Sequence, residues 1–294
     1  MASESGWRPA SAVGHHVAMA VMPSPTVPAQ WLLQHQHDPE LCILDVRWSL
    51  ASGAETAAYR AGHIPGAVFL DLDRDLAGRP GPSGRHPLPD PAQFSESMRR
   101  AGVSSRSSVV AYDEVTGAAA RAWWLLQAAG HPRVGVLDGG LRGYLEAGGV
   151  LSLTRPRPAR GNFRATGFEG TVPADLIPEL QQRGYLVLDA RAHDRYSGSP
   201  NPLDPRPGHI PKATSLPWTD LYQAGRQASP DEAGRRLQEA AHLGQPIIAY
   251  CGSGVTACAL LLALDAAGVQ DLHLYPGSWS EWAADETRPV EIGP

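Results

Sequence analysis

The sequence predicts an α/β protein of two tandem domains, each a mainly parallel sheet flanked by helices. One observation behind this prediction is an internal repeat, because the same short motifs occur in the same order in both halves of the chain. Another is that each half alternates short apolar stretches of strand length with apolar or amphipathic stretches of helix length. Buried strands that alternate with helices are typical of a parallel sheet covered on both faces. With 294 residues, 43% of them hydrophobic, the chain is long enough to bury a core in each of two domains.

The repeat is carried by three motifs: an apolar strand that ends in Asp-x-Arg, a Gly-His-Ile-Pro turn, and a second apolar strand. They occur at 41–47 and 185–191, at 62–65 and 208–211, and at 109–112 and 247–250. A helix-sized segment then ends in each copy at a glycine, Gly130 or Gly268, which we expect to terminate the helix. Because Asp-x-Arg occurs in both copies, we expect it to form a structural ion pair and to take no part in catalysis.

The repeat also divides the chain. We predict a first, non-catalytic domain of alternating strands and helices over residues 23–150, a linker over 151–170 and a second, similar domain over 171–294. The linker is predicted from the Arg-Pro-Arg-Pro run inside it, because proline-rich segments favour extended connections. Residues 1–22 are rich in small residues and include the pair His15-His16, and they are left out of the fold prediction.

Composition and charge exclude several classes of function. The formal net charge is -5, Lys212 is the only lysine and no basic run is present, so we expect no nucleic-acid partner. Three cysteines do not make a disulfide framework in a chain of this size and leave at least one free thiol, which favours a reducing cytoplasm. No apolar stretch approaches the roughly 18 residues that span a bilayer, so we expect no membrane partner. The histidines lack paired ligand spacing, so we expect neither a metal nor a cofactor.

The segment after the strand at 247–250 contains the strongest candidate for chemistry. Cys251 enters a glycine-bearing loop, and an apolar helix begins at about Thr256. A thiolate there would be stabilised by the positive end of the helix dipole and by the backbone N–H groups of the loop. Cys251 is therefore the predicted nucleophile. The first copy has Asp113 in its place, and an aspartate cannot do sulfur chemistry, so only the second domain is predicted to be catalytic.

These features together resemble the tandem-domain rhodaneses, in which the N-terminal domain lacks the cysteine. The string Cys-Gly-Ser-Gly-Val-Thr-Ala-Cys at 251–258 resembles, in particular, the active-site loop of the 3-mercaptopyruvate sulfurtransferases. The resemblance implies two rhodanese domains with the active site in the cleft between them, and a persulfide intermediate on Cys251. It also implies a thiol acceptor such as a thioredoxin-like protein, with cyanide as an alternative acceptor and ping-pong kinetics.

The donor is predicted from the residues that follow the cysteine. Family members that prefer thiosulfate, a dianion, have cationic residues there, whereas this chain has Gly252 and Ser253. A neutral loop favours a small-molecule donor with a single negative charge, which indicates 3-mercaptopyruvate, and thiosulfate is the alternative. When the C–S bond of 3-mercaptopyruvate breaks, a pyruvate enolate leaves. The Ser253 hydroxyl is predicted to serve it as a catalytic donor and also to cap the helix that follows.

The resemblance further implies which side chains bind the substrate. Arg195 lies where the family has its first substrate-binding arginine. Arg206 lies near the place of the second, although the chain between it and the next Gly-His-Ile-Pro is shorter than in the family. His63 resembles a residue with a polar role across the domain cleft. The other predicted substrate contacts are made by the loop residues Gly252, Gly254, Val255 and Thr256.

Two other functions would use the same cysteine. A phosphatase of this fold needs Cys-x5-Arg, in which the arginine binds the phosphoryl oxygens, but residue 257 is an alanine. A non-catalytic persulfide carrier or thiol sensor would share Cys251 and would not need Arg195 or Ser253. Structural roles are predicted for Cys42, Cys258 and His209.

Overall fold

The structure, a computed structural model, describes residues 22–23, 25–240 and 244–293, so the pair His15-His16 lies outside the described residues. The strands are β1 (Thr26–Val27), β2 (Leu41–Asp45), β3 (Trp48–Ser49), β4 (Gly53–Ala54), β5 (Val68–Phe69), β6 (Ser108–Tyr112), β7 (Val134–Leu137), β8 (Leu186–Asp189), β9 (Thr214–Ser215), β10 (Tyr222–Gln223), β11 (Arg226–Gln227), β12 (Ile247–Tyr250) and β13 (Leu272–Leu274). The helices are α1 (Ala29–His35), α2 (Thr56–Ala61), α3 (Leu72–Asp75), α4 (Pro91–Arg100), α5 (Ala118–Ala128), α6 (Gly140–Glu146), α7 (Ile177–Gln182), α8 (His193–Ser197), α9 (Pro230–Ala240), α10 (Thr256–Ala266) and α11 (Ser278–Trp282). Within these ranges no helix is both long and apolar enough to cross a membrane.

A parallel sheet forms the frame of each half. The first has the strand order β1-β7-β6-β2-β5 and the second β13-β12-β8-β9. Every strand pair in both sheets is parallel. Two short antiparallel ribbons, β3 with β4 and β10 with β11, lie outside them. The predicted α/β class with two mainly parallel sheets is therefore confirmed.

The two sheets follow one plan. Strands β5, β2, β6 and β7 have the same order in the first sheet as β9, β8, β12 and β13 in the second. The first sheet has one further edge strand, β1, and an isolated parallel bridge between Thr171 and Leu274 lies at the matching edge of the second. Strands β6 and β12 are fully buried. Asp113 and Cys251 directly follow them, so the two residues occupy equivalent places in the two sheets.

The Asp-x-Arg motifs form the predicted ion pair in both halves. Arg47 Nη2 lies 2.7 Å from Asp45 Oδ2, and Arg191 Nη2 lies 2.6 Å from Asp189 Oδ2, with all four side chains almost completely buried. The same Nη2 atoms donate to the carbonyl of the glycine that begins each Gly-His-Ile-Pro turn. Each pair therefore ties the end of a central strand to the turn that follows it, which is a structural role.

Helices α5 and α10 bring the two halves together. The side chains of both helices belong to one apolar cluster that extends through both halves, as expected for helices that are hydrophobic all round. Gly117, just before α5, is so close to α10 that a Cβ atom there would lie 3.3 Å from the Cα of Thr256. Gly130 and Gly268 follow the two helices with φ of +83° and +81°, the left-handed conformation predicted for a terminating glycine. The loop after β12 consequently lies at the boundary between the halves.

The segment predicted as a linker packs along the first half. The Gly161 and Phe163 N–H groups donate to the carbonyls of Arg99 and Val103, at 2.9 and 3.2 Å. A Cβ atom at Gly161 would lie 1.9 Å from the Val103 oxygen, so only glycine allows this approach. Phe163 is 3% exposed and packs into the apolar cluster. The connection between the halves is thus fixed to one of them.

Candidate active site

Cys251 lies directly after β12, with 1% of its surface exposed. Its N–H donates to Ser278 Oγ at 3.1 Å, and its carbonyl accepts from the Trp279 N–H at 2.9 Å. The next carbonyl, of Gly252, accepts from the Ser280 N–H at 3.0 Å. The first turn of α11 therefore fixes the backbone on both sides of the nucleophile.

The loop 252–255 forms a cradle of backbone N–H groups, one of which contacts the sulfur. The Gly254 N–H donates to Cys251 Sγ at 3.1 Å. Gly254 has a φ of +76°, and a Cβ atom there would lie 2.4 Å from the Pro276 oxygen, so the position requires glycine. Within the part of the chain that the structure describes, the N–H groups of Gly252, Ser253 and Val255 donate to no protein acceptor. Unpaired N–H groups in a loop that leads into a helix can form an anion site.

An arginine from the first half holds this cradle in place. Arg121, on α5, is completely buried, and its Nη1 donates to the Gly254 carbonyl at 3.0 Å. Its Nη2 donates to the carbonyl of His86 at 3.2 Å. One guanidinium thus connects the cysteine loop to a loop of the first half. Sequence reasoning did not single out Arg121, because nothing in its own segment indicates a partner so far along the chain.

The loop of the first half that contains His86 adds a chain of three polar side chains. Ser253 Oγ lies 2.8 Å from His86 Nδ1, and His86 Nε2 lies 3.0 Å from Asp73 Oδ1. A carboxylate only accepts hydrogen bonds, so Nε2 donates to Asp73, and Nδ1 is left to accept the Ser253 hydroxyl proton. Burial lowers the pKa of His86 to about 4, against the opposing effect of Asp73. The imidazole is therefore neutral near pH 7, and its Nδ1 lone pair is available to the Ser253 hydroxyl.

The local sequence explains how Asp73 and His86 are positioned. Asp71 caps α3 by accepting from the Asp73 and Arg74 N–H groups, which places Asp73 in the first turn. Trp48 Nε1 donates to the other Asp73 oxygen at 3.1 Å. His86 belongs to a glycine- and proline-rich stretch before α4 that is longer than its counterpart before α9. This difference in length between the two copies is the sequence signal that could have indicated a special role for the stretch that contains His86.

The Ser253 hydroxyl serves His86 and does not cap α10. The structure has Val255 at the N-cap position of that helix, without a side-chain hydrogen bond to the first turn. The prediction that Ser253 also caps the helix is therefore wrong. The reason is that His86, from a distant segment, offers the hydroxyl an acceptor.

Two guanidinium groups approach the loop at Gly252. A Cβ atom there would lie 2.8 Å from Arg85 Nη2 and 3.1 Å from Arg195 Nη2. Arg195 also forms a two-pronged ion pair with Asp204, at 2.9 Å from Nε and 2.6 Å from Nη2. The structure thus brings Arg195 to the cysteine loop, and it brings Arg85 there as well. Position 252 itself must be small to leave room for both.

Comparisons with known proteins agree with this geometry. The sequence profile of the Rhodanese-like domain matches the chain twice, over residues 28–147 and 172–285.

The chain belongs to the rhodanese family.

A probable 3-mercaptopyruvate sulfurtransferase of Pseudomonas aeruginosa is 43% identical over 281 residues, covering 90% of this rhodanese and 97% of that protein. A putative thiosulfate sulfurtransferase of Mycobacterium tuberculosis, SseB, is 40% identical over 267 residues, covering 87% and 92%. The crystal structure of SseA from Escherichia coli, reported as showing the rhodanese fold and mechanism of 3-mercaptopyruvate sulfotransferases, matches with a TM-score of 0.79 and 35% identity. It covers 88% of this chain and 100% of that one. The predicted family and its tandem fold are confirmed.

Arg206 is not placed at the loop of this rhodanese. Its Nε donates to the Ala283 carbonyl at 2.9 Å, and its Nη2 donates to the Asp285 and Arg288 carbonyls at 2.8 and 3.2 Å. The guanidinium is therefore occupied by the segment that follows α11. The short stretch between Arg206 and the second Gly-His-Ile-Pro turn agrees with this change of direction. The expected second substrate arginine is thus not supplied by Arg206.

His63 is also placed away from the cysteine loop. Its Nδ1 lies 2.9 Å from the Tyr59 carbonyl and its Nε2 lies 3.1 Å from the Thr154 carbonyl. Its ring also stacks on that of Tyr59 at 4.2 Å between centroids. His209 has the same arrangement on Tyr196, at 3.7 Å, as expected for a structural histidine repeated in both halves. His86, not His63, is the histidine whose contact with Ser253 reaches the cysteine loop from the first half, and the repeated motif led the sequence prediction to His63.

The other two cysteines are arranged for packing. Cys258 is completely buried on α10, its Sγ donates to the Gly254 carbonyl at 3.3 Å, and burial raises its pKa to about 12. Burial also raises the pKa of Cys42, on β2. Both thiols therefore stay protonated near neutral pH. Ala257 is buried in the first turn of α10, so the arginine that a phosphatase needs is absent from the described loop.

Proposed function

We propose that this rhodanese is a 3-mercaptopyruvate sulfurtransferase that transfers sulfur through a persulfide on Cys251. The observation that carries the proposal is the chain Ser253–His86–Asp73 beside the cysteine loop. The sulfur of 3-mercaptopyruvate is a thiol, and its leaving group is a carbanion that must gain a proton. Thiosulfate has no proton on its sulfur, and sulfite leaves without needing one. A proton relay is therefore useful for the first donor and not for the second.

The first half-reaction conserves atoms and charge. The Cys251 thiolate attacks the donor sulfur, an S–S bond forms, the C–S bond breaks and its electron pair goes to the carbon of the pyruvate enolate. The relay takes the thiol proton through the Ser253 hydroxyl to His86 and returns it to the enolate carbon. The products are pyruvate and Cys251–S–S⁻, with no net proton taken up. The free N–H groups of the cradle stabilise the terminal sulfur anion.

The second half-reaction returns the enzyme to its thiolate. An acceptor thiol attacks the outer sulfur, the S–S bond to Cys251 breaks, and the acceptor leaves as a persulfide. Cyanide in the same role leaves as thiocyanate. A thioredoxin-like dithiol is the proposed protein acceptor. A cytoplasmic location is proposed as well, supported by the free state of Cys42, Cys251 and Cys258.

Thiosulfate is the second candidate donor, because one feature of the site favours it. The guanidinium groups of Arg85 and Arg195 at Gly252 give the loop positive charge that its own sequence lacks. The SseB relative, named a putative thiosulfate sulfurtransferase, shows that both names occur among proteins of similar identity. The relay still favours 3-mercaptopyruvate.

Turnover of both donors by the wild type and Ser253→Ala tests the proposal. We expect kcat/KM to be higher for 3-mercaptopyruvate in the wild type, and the variant to lose on the order of 10²-fold with that donor. The loss with thiosulfate should be much smaller. Intact-mass measurement should find one added sulfur on the wild type and on Cys258→Ser, the matched control, and none on Cys251→Ser. Equal or better kcat/KM with thiosulfate would overturn the donor assignment.

A further inference from the structure

Arg85 extends from the first half of the molecule into the second. It precedes His86 in the loop between α3 and α4. Its backbone N–H donates to Ser280 Oγ at 3.0 Å, and its Nη1 donates to the Leu203 carbonyl. Both partners belong to the second half, so this arginine is anchored there at its backbone and at its guanidinium.

The anchors direct Arg85 to the cysteine loop. Its Nη2 is the atom nearest to a Cβ built on Gly252, at 2.8 Å, and the corresponding distance for Arg195 Nη2 is 3.1 Å. The two guanidinium groups therefore converge on one side of the residue that follows the nucleophile. Two such groups make a fork that matches a carboxylate, which accepts paired N–H donors.

Arg85 also supplies a positive charge that no carboxylate at ion-pair distance balances within the described residues. Arg191 is paired with Asp189, and Arg195 is paired with Asp204. Within the described ranges no carboxylate lies within ion-pair distance of Arg85, and its buried Nε has no hydrogen-bond partner. Burial lowers the pKa of Arg85, opposed by Asp204 and Cys251. A guanidinium stays charged even so, which leaves one positive charge without an ion pair at the loop.

We propose that Arg85 binds the carboxylate of the sulfur donor together with Arg195, as the second substrate arginine of this site. This assignment rests on the proposed function. It gives Arg85 the part that the family resemblance gave to Arg206, whose guanidinium is bound to carbonyls of the C-terminal segment. In this assignment both halves contribute to the donor-binding site, because Arg85 belongs to the first half and Arg195 to the second.

The test measures steady-state kinetics of Arg85→Gln, Arg85→Lys and a matched control, Arg79→Gln. Arg79 belongs to the same loop, is exposed and makes no hydrogen bond or ion pair among the described residues, so its variant removes the same formal charge. Each protein is assayed with 3-mercaptopyruvate and with 1-mercapto-2-propanone, which has the same thiol and ketone but no carboxylate. Comparison of the two donors separates carboxylate binding from every other effect of the substitution.

With 3-mercaptopyruvate, Arg85→Gln should raise KM by roughly 10- to 100-fold, with a smaller change in kcat. With the donor that lacks the carboxylate, the same substitution should change kcat/KM by less than about threefold. Arg85→Lys should recover part of the loss, because it keeps the charge without the fork. Arg79→Gln should behave as the wild type with both donors.

An equal loss with both donors would overturn the assignment, since it would mean that Arg85 only holds the loop. An unchanged KM for 3-mercaptopyruvate in Arg85→Gln would overturn it as well. A large, donor-specific rise of KM in Arg206→Gln would return the role to Arg206. These results differ from a failure of the proposed function, in which the wild type itself gains no sulfur from 3-mercaptopyruvate in an intact-mass measurement.

Discussion

The loop after β6 and the loop after β12 occupy equivalent places in the two halves, but different groups fill them. In the first loop the Asp113 carboxylate accepts hydrogen bonds from the backbone N–H groups of Val115, Thr116 and Ala119, at 2.6, 3.3 and 3.0 Å. In the repeat, these three residues correspond to Ser253, Gly254 and Ala257 of the second loop. The side chain of the first loop therefore satisfies its own cradle.

The second loop leaves most of the equivalent donors open. Cys251 Sγ accepts only from the Gly254 N–H, at 3.1 Å, within the described part of the chain. A carboxylate extends one atom further than a thiol, and a persulfide adds that atom. Asp113 thus occupies its loop as a persulfide on Cys251 would occupy the other. One cradle is thus filled by its own side chain, whereas the proposed persulfide would fill the other only during the reaction.

Substituting Cys251 with aspartate would make the second loop resemble the first. We expect Cys251→Asp to fold, because its carboxylate can accept from the cradle N–H groups and because two guanidinium groups approach the neighbouring residue, Gly252. Sulfur transfer should fall by more than about 10³-fold, because no thiolate remains to form the persulfide. Turnover with 3-mercaptopyruvate and a thermal melt provide the two measurements.

The control for this substitution is Cys251→Ser, which also removes the nucleophile but cannot fill the cradle. If the cradle is an anion site, Cys251→Asp should melt at a higher temperature than Cys251→Ser. A lower melting temperature for the aspartate variant would contradict the equivalence of the two loops.

The frame of the molecule was predictable because its signals are local. The Asp-x-Arg strand ends, the buried strand before Cys251 and the glycine at 268 each depend on neighbours in sequence, and the structure has them as expected. Because of the repeat, most of these local signals occur twice in the sequence, which makes them easier to recognise. A local pattern is enough where the physical cause, such as strand burial or a left-handed turn, acts over a few residues.

The rest of the site was not predictable in the same way. Arg85 and His86 reach the cysteine loop only because α5 packs on α10 and brings the halves together, and no pattern in either segment encodes that contact. His63 was chosen because its motif is repeated, yet repetition indicates a shared structural task. Arg206 was chosen by its place in the sequence. The stretch between it and the second Gly-His-Ile-Pro turn is shorter than in the family, and its guanidinium binds carbonyls of the C-terminal segment. The predictions for His63 and Arg206 were wrong because a motif or a position along the chain does not determine which partners a side chain contacts.

Removing the carboxylate of the first loop should affect stability more than catalysis. Asp113→Ala removes the acceptor of the buried Ala119 N–H and of the part-buried Val115 and Thr116 N–H groups, and also of the Thr116 hydroxyl. This should lower the free energy of unfolding by about 3 kcal/mol. Turnover measured well below the melting temperature should stay within about twofold of the wild type, because Asp113 does not contact the cysteine loop. Urea unfolding and steady-state kinetics measure the two effects.

Asp113→Asn is the matched variant, since it keeps one acceptor oxygen and the same shape. It should lose less stability than Asp113→Ala. A large fall in kcat with unchanged stability would contradict the view that the first loop is only structural.

The smallest expected effect is a pH dependence of stability caused by His86, the buried histidine of the first half that contacts Ser253 of the second half. The pKa of His86 is about 4 in the folded protein and has the ordinary value of 6.5 when unfolded. Above pH 6.5 both states are neutral. As the pH falls below 6.5 only the unfolded state takes up the proton, so stability is lost, by about 2 kcal/mol at pH 5. His86→Asn lacks this group, so its unfolding free energy should fall less between pH 7.5 and 5, by about that amount. Urea unfolding of both proteins at the two pH values measures the difference. Equal losses would mean that the folded site does not lower the pKa of His86 below its value in the unfolded chain.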